Sequence, residues 1–159
     1  MRNVIDVTKS KRDTCRLCES SKLELVVPLV PTPVAEKYLT KEQLNQEEVI
    51  CPLDIYMCKN CGHVQLLDIV DPQFLYSDYT YSSGNSSGLV KHFKEYTDEI
   101  IQKYKPKKNS LVIDVGSNDG TLLHFFKDYG LKVLGVDPAK EIAEKATLSG
   151  IKTLPKFMS

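Results

Sequence analysis

Four cysteines are spaced as two Cys-x-x-Cys pairs, and each pair can offer two thiolates to one metal ion from a single turn. The pairs are Cys15-x-x-Cys18 and Cys58-x-x-Cys61, with 39 residues between them. Four thiolates suit zinc in tetrahedral geometry and leave no position for a bound water, so we predict a structural zinc site. Reduced structural thiols, a redox pair and an iron–sulfur site are the alternatives. The fifth cysteine, Cys51, precedes a proline and is predicted to pack as a small apolar residue.

A second stretch joins the pattern of a buried strand to a glycine-bounded turn. Branched apolar residues run through an acid into the turn in the sequence Leu111-Val112-Ile113-Asp114-Val115-Gly116-Ser117-Asn118-Asp119-Gly120. A strand that turns sharply into a helix N-terminus is where proteins hold nucleotide-like cofactors. The Gly116-x-x-x-Gly120 spacing differs from the dinucleotide pattern Gly-x-Gly-x-x-Gly, and no Lys-Ser/Thr follows it as in a P-loop.

Two acidic residues narrow the choice of cofactor. Asp114, close to the end of the first strand, would repel a pyrophosphate but suits the ammonium group of S-adenosylmethionine. Asp137 ends the next predicted strand, 17 residues beyond Gly120, where a carboxylate can accept hydrogen bonds from both ribose hydroxyls. We therefore predict that the turn binds S-adenosylmethionine. A nicotinamide or flavin cofactor, or a strand turn that binds no ligand, are the alternatives.

Hydrophobic periodicity assigns these residues to an α/β arrangement. Strands are predicted at 111–115, at 131–136 and from 151, and helices begin after Gly120 and at about 139. Two successive βα units imply parallel strands with right-handed crossovers, and the candidate cofactor residues lie at the carboxyl ends of those strands. An amphipathic helix that precedes the first strand is predicted to lie against this sheet.

The part of the chain before residue 85 is predicted to be a smaller α+β module. Alternating residues at 53–57 and 63–67 indicate a hairpin with the second cysteine pair at its tip. Residues 1–13 are polar and are predicted to be frayed. Tyrosines and small polar residues are concentrated in residues 71–84, the aromatic segment. This segment is either a loop that packs on the next domain or a lid over cofactor and substrate.

Charge and hydropathy limit the partners and the location that the chain can have. Its 159 residues include 21 basic and 21 acidic side chains, which argues against a nucleic-acid partner held by excess positive charge. The N-terminus lacks the apolar core of a signal peptide, and no apolar run reaches membrane-spanning length. We therefore predict a cytoplasmic protein with no membrane partner. Cysteines in that compartment favour metal ligands over disulfides.

The motifs, in this order, resemble the N-terminal part of S-adenosylmethionine-dependent sugar C-methyltransferases, which act on nucleotide-linked deoxysugars. The resemblance covers nearly the whole chain. It rests on both cysteine pairs, Gly62, the Pro-Leu-Asp at 52–54, Val64-Gln65-Leu66, Tyr79-x-Tyr81-x-Ser83, residues 113–123 and Val136-Asp137-Pro138-Ala139. Asn118 stands where methyltransferases in general often have a middle glycine, although this subfamily is similar to the present chain.

The resemblance implies a small α+β zinc-binding module followed by the start of an α/β Rossmann-like methyltransferase domain. The implied organisation is a flexible N-terminus at 1–13, the zinc-binding module with the aromatic segment at 14–84, and the first part of the Rossmann-like domain at 85–159. By position, the resemblance implies that the cofactor is held by Asp114, Gly116, Asn118, Gly120 and Asp137, and that the active site is faced by Tyr79, Tyr81 and Ser83.

The resemblance also implies a mechanism, in which a base removes the acidic proton beside a sugar ketone and the enolate attacks the sulfonium methyl in line. The family's His/Glu pair has no counterpart before Ser159, so we expect the base beyond Ser159 and no catalysis by this chain alone. A sheet cut short would expose an edge that invites self-association. The competing hypothesis is a zinc-containing binding module on a non-catalytic α/β scaffold.

Overall fold

The computed structural model describes residues 4–6, 8–46, 48–76 and 79–158. The chain divides into two compact units, residues 1–75 and residues 76–159. The boundary falls inside the aromatic segment, so the tyrosines at its carboxyl end are part of the second unit rather than of the unit that contains the cysteines.

The first unit is built from short β-strands followed by a one-turn helix at the boundary. Its elements are β1 (Val4–Asp6), β2 (Thr8–Lys11), β3 (Leu23–Val27), β4 (Thr32–Pro33), β5 (Glu48–Cys51), β6 (Ile55–Cys58), β7 (Val64–Leu66), β8 (Asp68–Val70) and α1 (Pro72–Tyr76), with a 3-10 helix at Lys41–Asn45. The strands lie in small sheets with the orders β1-β5-β4, β2-β8 and β3-β6-β7. This subdivision leaves the unit without one extended sheet among its described residues.

The sheet β3-β6-β7 carries the second cysteine pair. Strands β6 and β7 are antiparallel neighbours, with Met57 opposite Val64, and the chain reverses between them through residues 59–63. Cys58 is the last residue of β6, and Gly62 in the reversal has a left-handed backbone with φ of 77°. The predicted hairpin with the cysteine pair at its tip is therefore confirmed.

The N-terminal segment differs from the sequence prediction. Residues that were expected to be frayed form β1, which pairs in parallel with β5, and β2, which pairs antiparallel with β8. The sequence of β2 is Thr-Lys-Ser-Lys, in which no apolar alternation marks a strand. Its backbone groups find their partners on a strand that lies far away in the sequence, and composition does not reveal such a pairing.

The second unit alternates helices with parallel strands. Its elements are α2 (Ser87–Tyr104), β9 (Leu111–Val115), α3 (Thr121–Asp128), β10 (Lys132–Val136), α4 (Lys140–Leu148) and β11 (Thr153–Leu154), with a 3-10 helix at Ser83–Asn85. The strands lie in the order β11-β10-β9, with Leu111 opposite Lys132 and Gly135 opposite Thr153. The predicted parallel pairing of these strands is confirmed.

Helix α2 begins at an N-cap serine, because the Ser86 hydroxyl accepts a hydrogen bond from the Leu89 N–H at 3.4 Å. The helix packs against α3, and its buried Thr97 donates its hydroxyl to the Phe93 carbonyl at 2.8 Å. The apolar core of the unit forms where α3 and α4 contact the strands, and its buried members are Leu123, Phe126, Leu131, Val136, Ala139, Ile142, Ala143, Ala146 and Ile151. Among the described residues, no helix combines the length and apolar character needed to cross a membrane.

The glycine turn joins β9 to α3 through three residues with left-handed backbones. Gly116, Asn118 and Gly120 have φ values of 80°, 50° and 79°. A Cβ atom on Gly116 would meet no atom within 4 Å, whereas one on Gly120 would lie 2.9 Å from a side-chain carbon of Ile151. Glycine is therefore favoured at 116 by backbone conformation alone, and at 120 by conformation and packing together.

This difference predicts unequal costs for the same substitution at the two glycines. We expect Gly116→Ala to lower the free energy of unfolding by about 1–2 kcal/mol, the cost of a left-handed non-glycine residue. Gly120→Ala should lower it by about 2–5 kcal/mol, because overpacking against Ile151 adds about 1–3 kcal/mol. Urea unfolding followed by circular dichroism measures both values. Equal costs at the two positions would contradict the packing role of Gly120.

Candidate metal centre and ligand cavity

The two cysteine pairs come together in the first unit. The sulfur atoms of Cys15, Cys18, Cys58 and Cys61 all lie within 4.8 Å of one another. The Cys15 and Cys61 sulfurs are 3.7 Å apart, and the Cys18 and Cys58 sulfurs are 3.6 Å apart. Zinc–sulfur bonds of about 2.3 Å in a tetrahedron place sulfurs about 3.8 Å apart. The four cysteines are therefore positioned for zinc binding.

The two cysteine turns have the same backbone hydrogen bonds. In the first, the Glu19 N–H donates to the Cys15 carbonyl at 3.0 Å, and the Cys15 N–H donates to the Ser20 carbonyl at 2.9 Å. In the second, Gly62 donates to the Cys58 carbonyl at 2.8 Å, and the Cys58 N–H donates to the carbonyl of the following histidine at 2.9 Å. Both turns need a left-handed residue after the second cysteine, and Glu19 with φ of 59° takes that place in the first.

Donors near the sulfurs favour thiolates, which are the metal-binding form of cysteine. The Leu17 N–H lies 3.4 Å from the Cys15 sulfur, and the Asn60 side-chain nitrogen lies 3.6 Å from the Cys18 sulfur. Hydrogen bonds from the Ser20 backbone and then from Asn60 lower the pKa of Cys18 to about 6. The thiolate is not favoured equally across the cluster: the His63 backbone would lower the pKa of Cys61, but hydrogen bonding with Cys18 and burial outweigh it and raise that pKa.

Gln65 supports the first cysteine turn from strand β7. Its side chain is buried, its Oε1 accepts the Arg16 N–H at 2.8 Å, and its Nε2 donates to the Thr14 carbonyl at 3.2 Å. These bonds flank Cys15 on both sides, so Gln65 orients a metal ligand without touching the metal position. Sequence reasoning gave Gln65 no role of its own, because a lone glutamine in an alternating strand carries no local signal. Cys51, in β5, is buried and is not one of the four clustered cysteines.

The second unit contains a cavity of about 530 Å³ beside the glycine turn. Three of the five predicted cofactor residues line it, namely Gly116, Asn118 and Asp137, together with all three predicted loop residues, Tyr79, Tyr81 and Ser83. The remaining lining residues are Tyr76, Val115, Val136, Pro138, Ala139, Lys156, Phe157 and Met158. The tyrosines pack on one another along the wall, with ring centroids 5.9 Å apart for Tyr76 and Tyr79. Three of the predicted cofactor residues thus meet the three predicted loop residues at one cavity.

Asp137 fixes the shape of the turn. Its carboxylate is buried, with Oδ2 accepting the Asn118 N–H at 2.8 Å and Oδ1 accepting the Ala139 N–H at 2.9 Å. The Gly116 N–H donates to the Val136 carbonyl at 2.8 Å and adds a second link between the turn and β10. Each carboxylate oxygen has a further lone pair, so Asp137 can also accept a hydroxyl from a ligand in the cavity.

The other two predicted cofactor residues, Asp114 and Gly120, are not among the residues that line this cavity. Asp114 is half-buried and lines a different cavity of about 360 Å³, which α2, β9 and α3 enclose. Burial, and then the charge of Asp137, raise the pKa of Asp114. Gly120 packs against the side chain of Ile151, which leaves no room for a Cβ atom at position 120. Periodicity predicted that Asp114 lies near the end of a strand. It could not predict which cavity the side chain lines, because that depends on how the helices pack on the sheet.

Comparison with known proteins agrees with the geometry of the first unit. Residues 15–76, which include all four clustered cysteines, match a family model described as “Putative zinc binding domain”. C-methyltransferase NovU of Streptomyces niveus is 31% identical to the chain over 143 residues. The match covers 90% of this chain and 34% of that relative, so the chain spans about a third of the relative's length.

The cysteine geometry predicts one zinc ion per chain. We expect Cys58→Ser to abolish zinc retention and to unfold the first unit, because metal binding and folding are coupled in small zinc modules. Cys51→Ser is the matched control, since it removes a buried thiol outside the cluster and should keep the zinc. Elemental analysis of the purified proteins measures the metal content. Iron instead of zinc, or equal zinc in both variants, would contradict the assignment.

The surroundings of Asp114 predict a pH-dependent stability. When an acid has a higher pKa in the folded than in the unfolded state, stability falls as pH rises through that interval. We expect Asp114→Asn to raise the urea midpoint of unfolding at pH 7, because it removes a partly desolvated charge. The gain should shrink as the pH is lowered and Asp114 becomes protonated. Glu99→Gln, an exposed change on α2, should shift the midpoint little at either pH.

Proposed function

We propose, on the premise that the chain is related to C-methyltransferases and carries a zinc-binding region of that family, that its second unit binds S-adenosylmethionine. The main support for this proposal is that Gly116, Asn118 and Asp137 line one cavity, together with three tyrosines. The size of the cavity lies in the range of small-molecule sites, and it joins apolar walls to a few polar groups. In this proposal the unit is the first part of a Rossmann-like domain.

The residues of the cavity suit the parts of this cofactor. Gly116 leaves open space where other residues have a Cβ, so a ligand can approach the backbone of the turn. Asp137 offers its remaining lone pairs to the ribose hydroxyls, as an acid at the end of the second strand does in nucleotide-binding sheets. When bound, S-adenosylmethionine supplies a methyl group on a sulfonium centre. The ammonium group remains the proposed partner of Asp114, which lines the 360 Å³ cavity but whose pKa is raised by burial and then by the charge of Asp137, a residue of the 530 Å³ cavity.

For the acceptor, we propose a small molecule with an acidic carbon beside a ketone, in particular a nucleotide-linked keto-deoxysugar. The relative's printed name, C-methyltransferase, supports transfer to carbon. A carbon beside a ketone becomes nucleophilic when a base removes its proton and leaves an enolate. The match covers 34% of the relative, and we propose that the base corresponds to a residue in the part of the relative that the match does not cover.

The zinc ion has a structural role in this proposal. Four cysteine ligands fill a tetrahedral site and leave no position for water or substrate. We propose a cytoplasmic location, and we propose that nucleic acid is not a partner, because basic and acidic residues are equal in number. Among the described strands of the second unit, β9 lies at one end of the order and exposes Leu111, Ile113 and Val115, and we propose that this chain self-associates through it.

The assignment of Asp137 predicts a loss of cofactor affinity. We expect Asp137→Ala to weaken S-adenosylmethionine binding to the full-length protein at least tenfold, because charged hydrogen bonds contribute about 1.5–3 kcal/mol each. Isothermal calorimetry measures the affinity, and thermal unfolding shows whether the variant is folded at the temperature used. Asp128→Ala, an exposed change at the end of α3, is the control and should bind normally. An unchanged affinity for Asp137→Ala would contradict the assignment.

A further inference from the structure

Two adjacent residues of the glycine turn, Asn118 and Asp119, hold four consecutive residues of a neighbouring loop. The loop comprises residues 81–84, and each of its residues makes one hydrogen bond to one of the two side chains. The bonded residues are 35 to 37 positions apart in the sequence, so the contact is tertiary. The 81–84 loop runs into the 3-10 helix Ser83–Asn85, which precedes α2.

Asn118 binds the backbone of the loop on both sides of Ser82. Its Nδ2 donates to the Tyr81 carbonyl at 2.9 Å, and its Oδ1 accepts the Ser83 N–H at 2.9 Å. The residue is buried, and its own N–H donates to Asp137. The amide group is thus used as a donor and as an acceptor at once, which neither an aspartate nor an aliphatic side chain could reproduce.

Asp119 completes the contact with a charge. Its Oδ2 accepts the hydroxyl of Ser82 and the N–H of Gly84, the latter at 2.8 Å, while its Oδ1 accepts the Thr121 N–H and hydroxyl at 3.1 and 2.6 Å. Partial burial alone would raise the pKa of Asp119, but the hydrogen bonds that it accepts outweigh burial and lower the pKa. The carboxylate is therefore ionised at neutral pH, when it binds most strongly.

The loop is fitted to this contact. A Cβ atom on Gly84 would lie 3.0 Å from the Asp119 Oδ2 and 3.2 Å from the Thr121 hydroxyl, so glycine permits the close approach. Tyr81 and Ser83, the residues that Asn118 binds, also line the 530 Å³ cavity together with Asn118 itself. Two lining residues, Tyr81 and Ser83, are therefore held in place by the side chain of a third, Asn118.

We propose that Asn118 and Asp119 are positioning residues, which hold the 81–84 loop against the glycine turn and so assemble the ligand cavity before a ligand binds. This inference rests on the proposed function, because it assigns the two residues to the S-adenosylmethionine site. Asn118 acts there through the loop, with its side chain already bonded, rather than by side-chain contact with the cofactor.

Amide hydrogen exchange of the ligand-free, full-length protein tests the contact, and calorimetry with S-adenosylmethionine tests its consequence. Asn118→Gly is the informative variant, since glycine adopts the φ of 50° without strain and only the side chain is lost. We expect the Ser83 amide to exchange about tenfold faster and the affinity to fall about fivefold or more. Asn109→Gly is the matched control, the same substitution at another left-handed asparagine, with φ of 66°, and should change neither.

Asp119 provides a second, graded test. Asp119→Asn keeps a side-chain oxygen that can accept the Gly84 N–H. We therefore expect it to change the amide exchange rate and the affinity for S-adenosylmethionine less than Asp119→Ala does. Unchanged Ser83 exchange in Asn118→Gly would overturn the contact. Faster exchange with unchanged affinity would overturn the positioning role. Failure of the unsubstituted protein to bind S-adenosylmethionine would instead overturn the proposed function, while the exchange data still decide whether the turn holds the loop.

Discussion

The buried carboxylate of Asp137 must find hydrogen-bond donors inside the protein, because an uncompensated charge removed from water is costly. The N–H groups of Asn118 and Ala139 supply them, and in doing so they fix the glycine turn to the end of β10. Once the turn is fixed, the side chains of Asn118 and Asp119 have defined directions and can hold the 81–84 loop. Strand end, turn and loop therefore form one ordered series of polar contacts around the cavity.

The first unit depends on a different constraint, the scarcity of apolar core. Its buried apolar residues, among those that the structure describes, are Cys15, Cys51, Cys58 and Leu67. Two of these four are metal-ligand candidates, so half of the buried apolar residues of this unit belong to the cysteine cluster itself. Small domains of this kind need a metal or disulfides to offset the loss of chain entropy. Gln65 adds polar contacts that hold the first cysteine turn in the same arrangement as the second.

The sequence predicted those features that leave a local pattern. The parallel strands of the second unit have apolar periodicity, and the cysteine hairpin has paired spacing and Gly62. The structure adds features whose cause lies elsewhere in the chain. Strand β2 is polar and is defined by its pairing with β8. Glu19 adopts the left-handed conformation that Gly62 has in the second cysteine turn, although its residue type gives no hint of it. Whether a predicted cofactor residue such as Asp114 faces one cavity or another depends on helix packing, which periodicity does not specify.

An asparagine at position 118 is informative because glycine would fit the backbone with less strain. A left-handed non-glycine residue costs about 1–2 kcal/mol, less for asparagine than for most others. Its two neutral hydrogen bonds to the loop contribute about 0.5–1.5 kcal/mol each. For Asn118 alone, these hydrogen bonds therefore roughly offset the cost of the left-handed backbone. Bonds to a charged group are worth about 1.5–3 kcal/mol, and Asp119 accepts two of them from the loop. The strength of the contact therefore comes mainly from Asp119, while Asn118 determines the register in which the loop meets the turn.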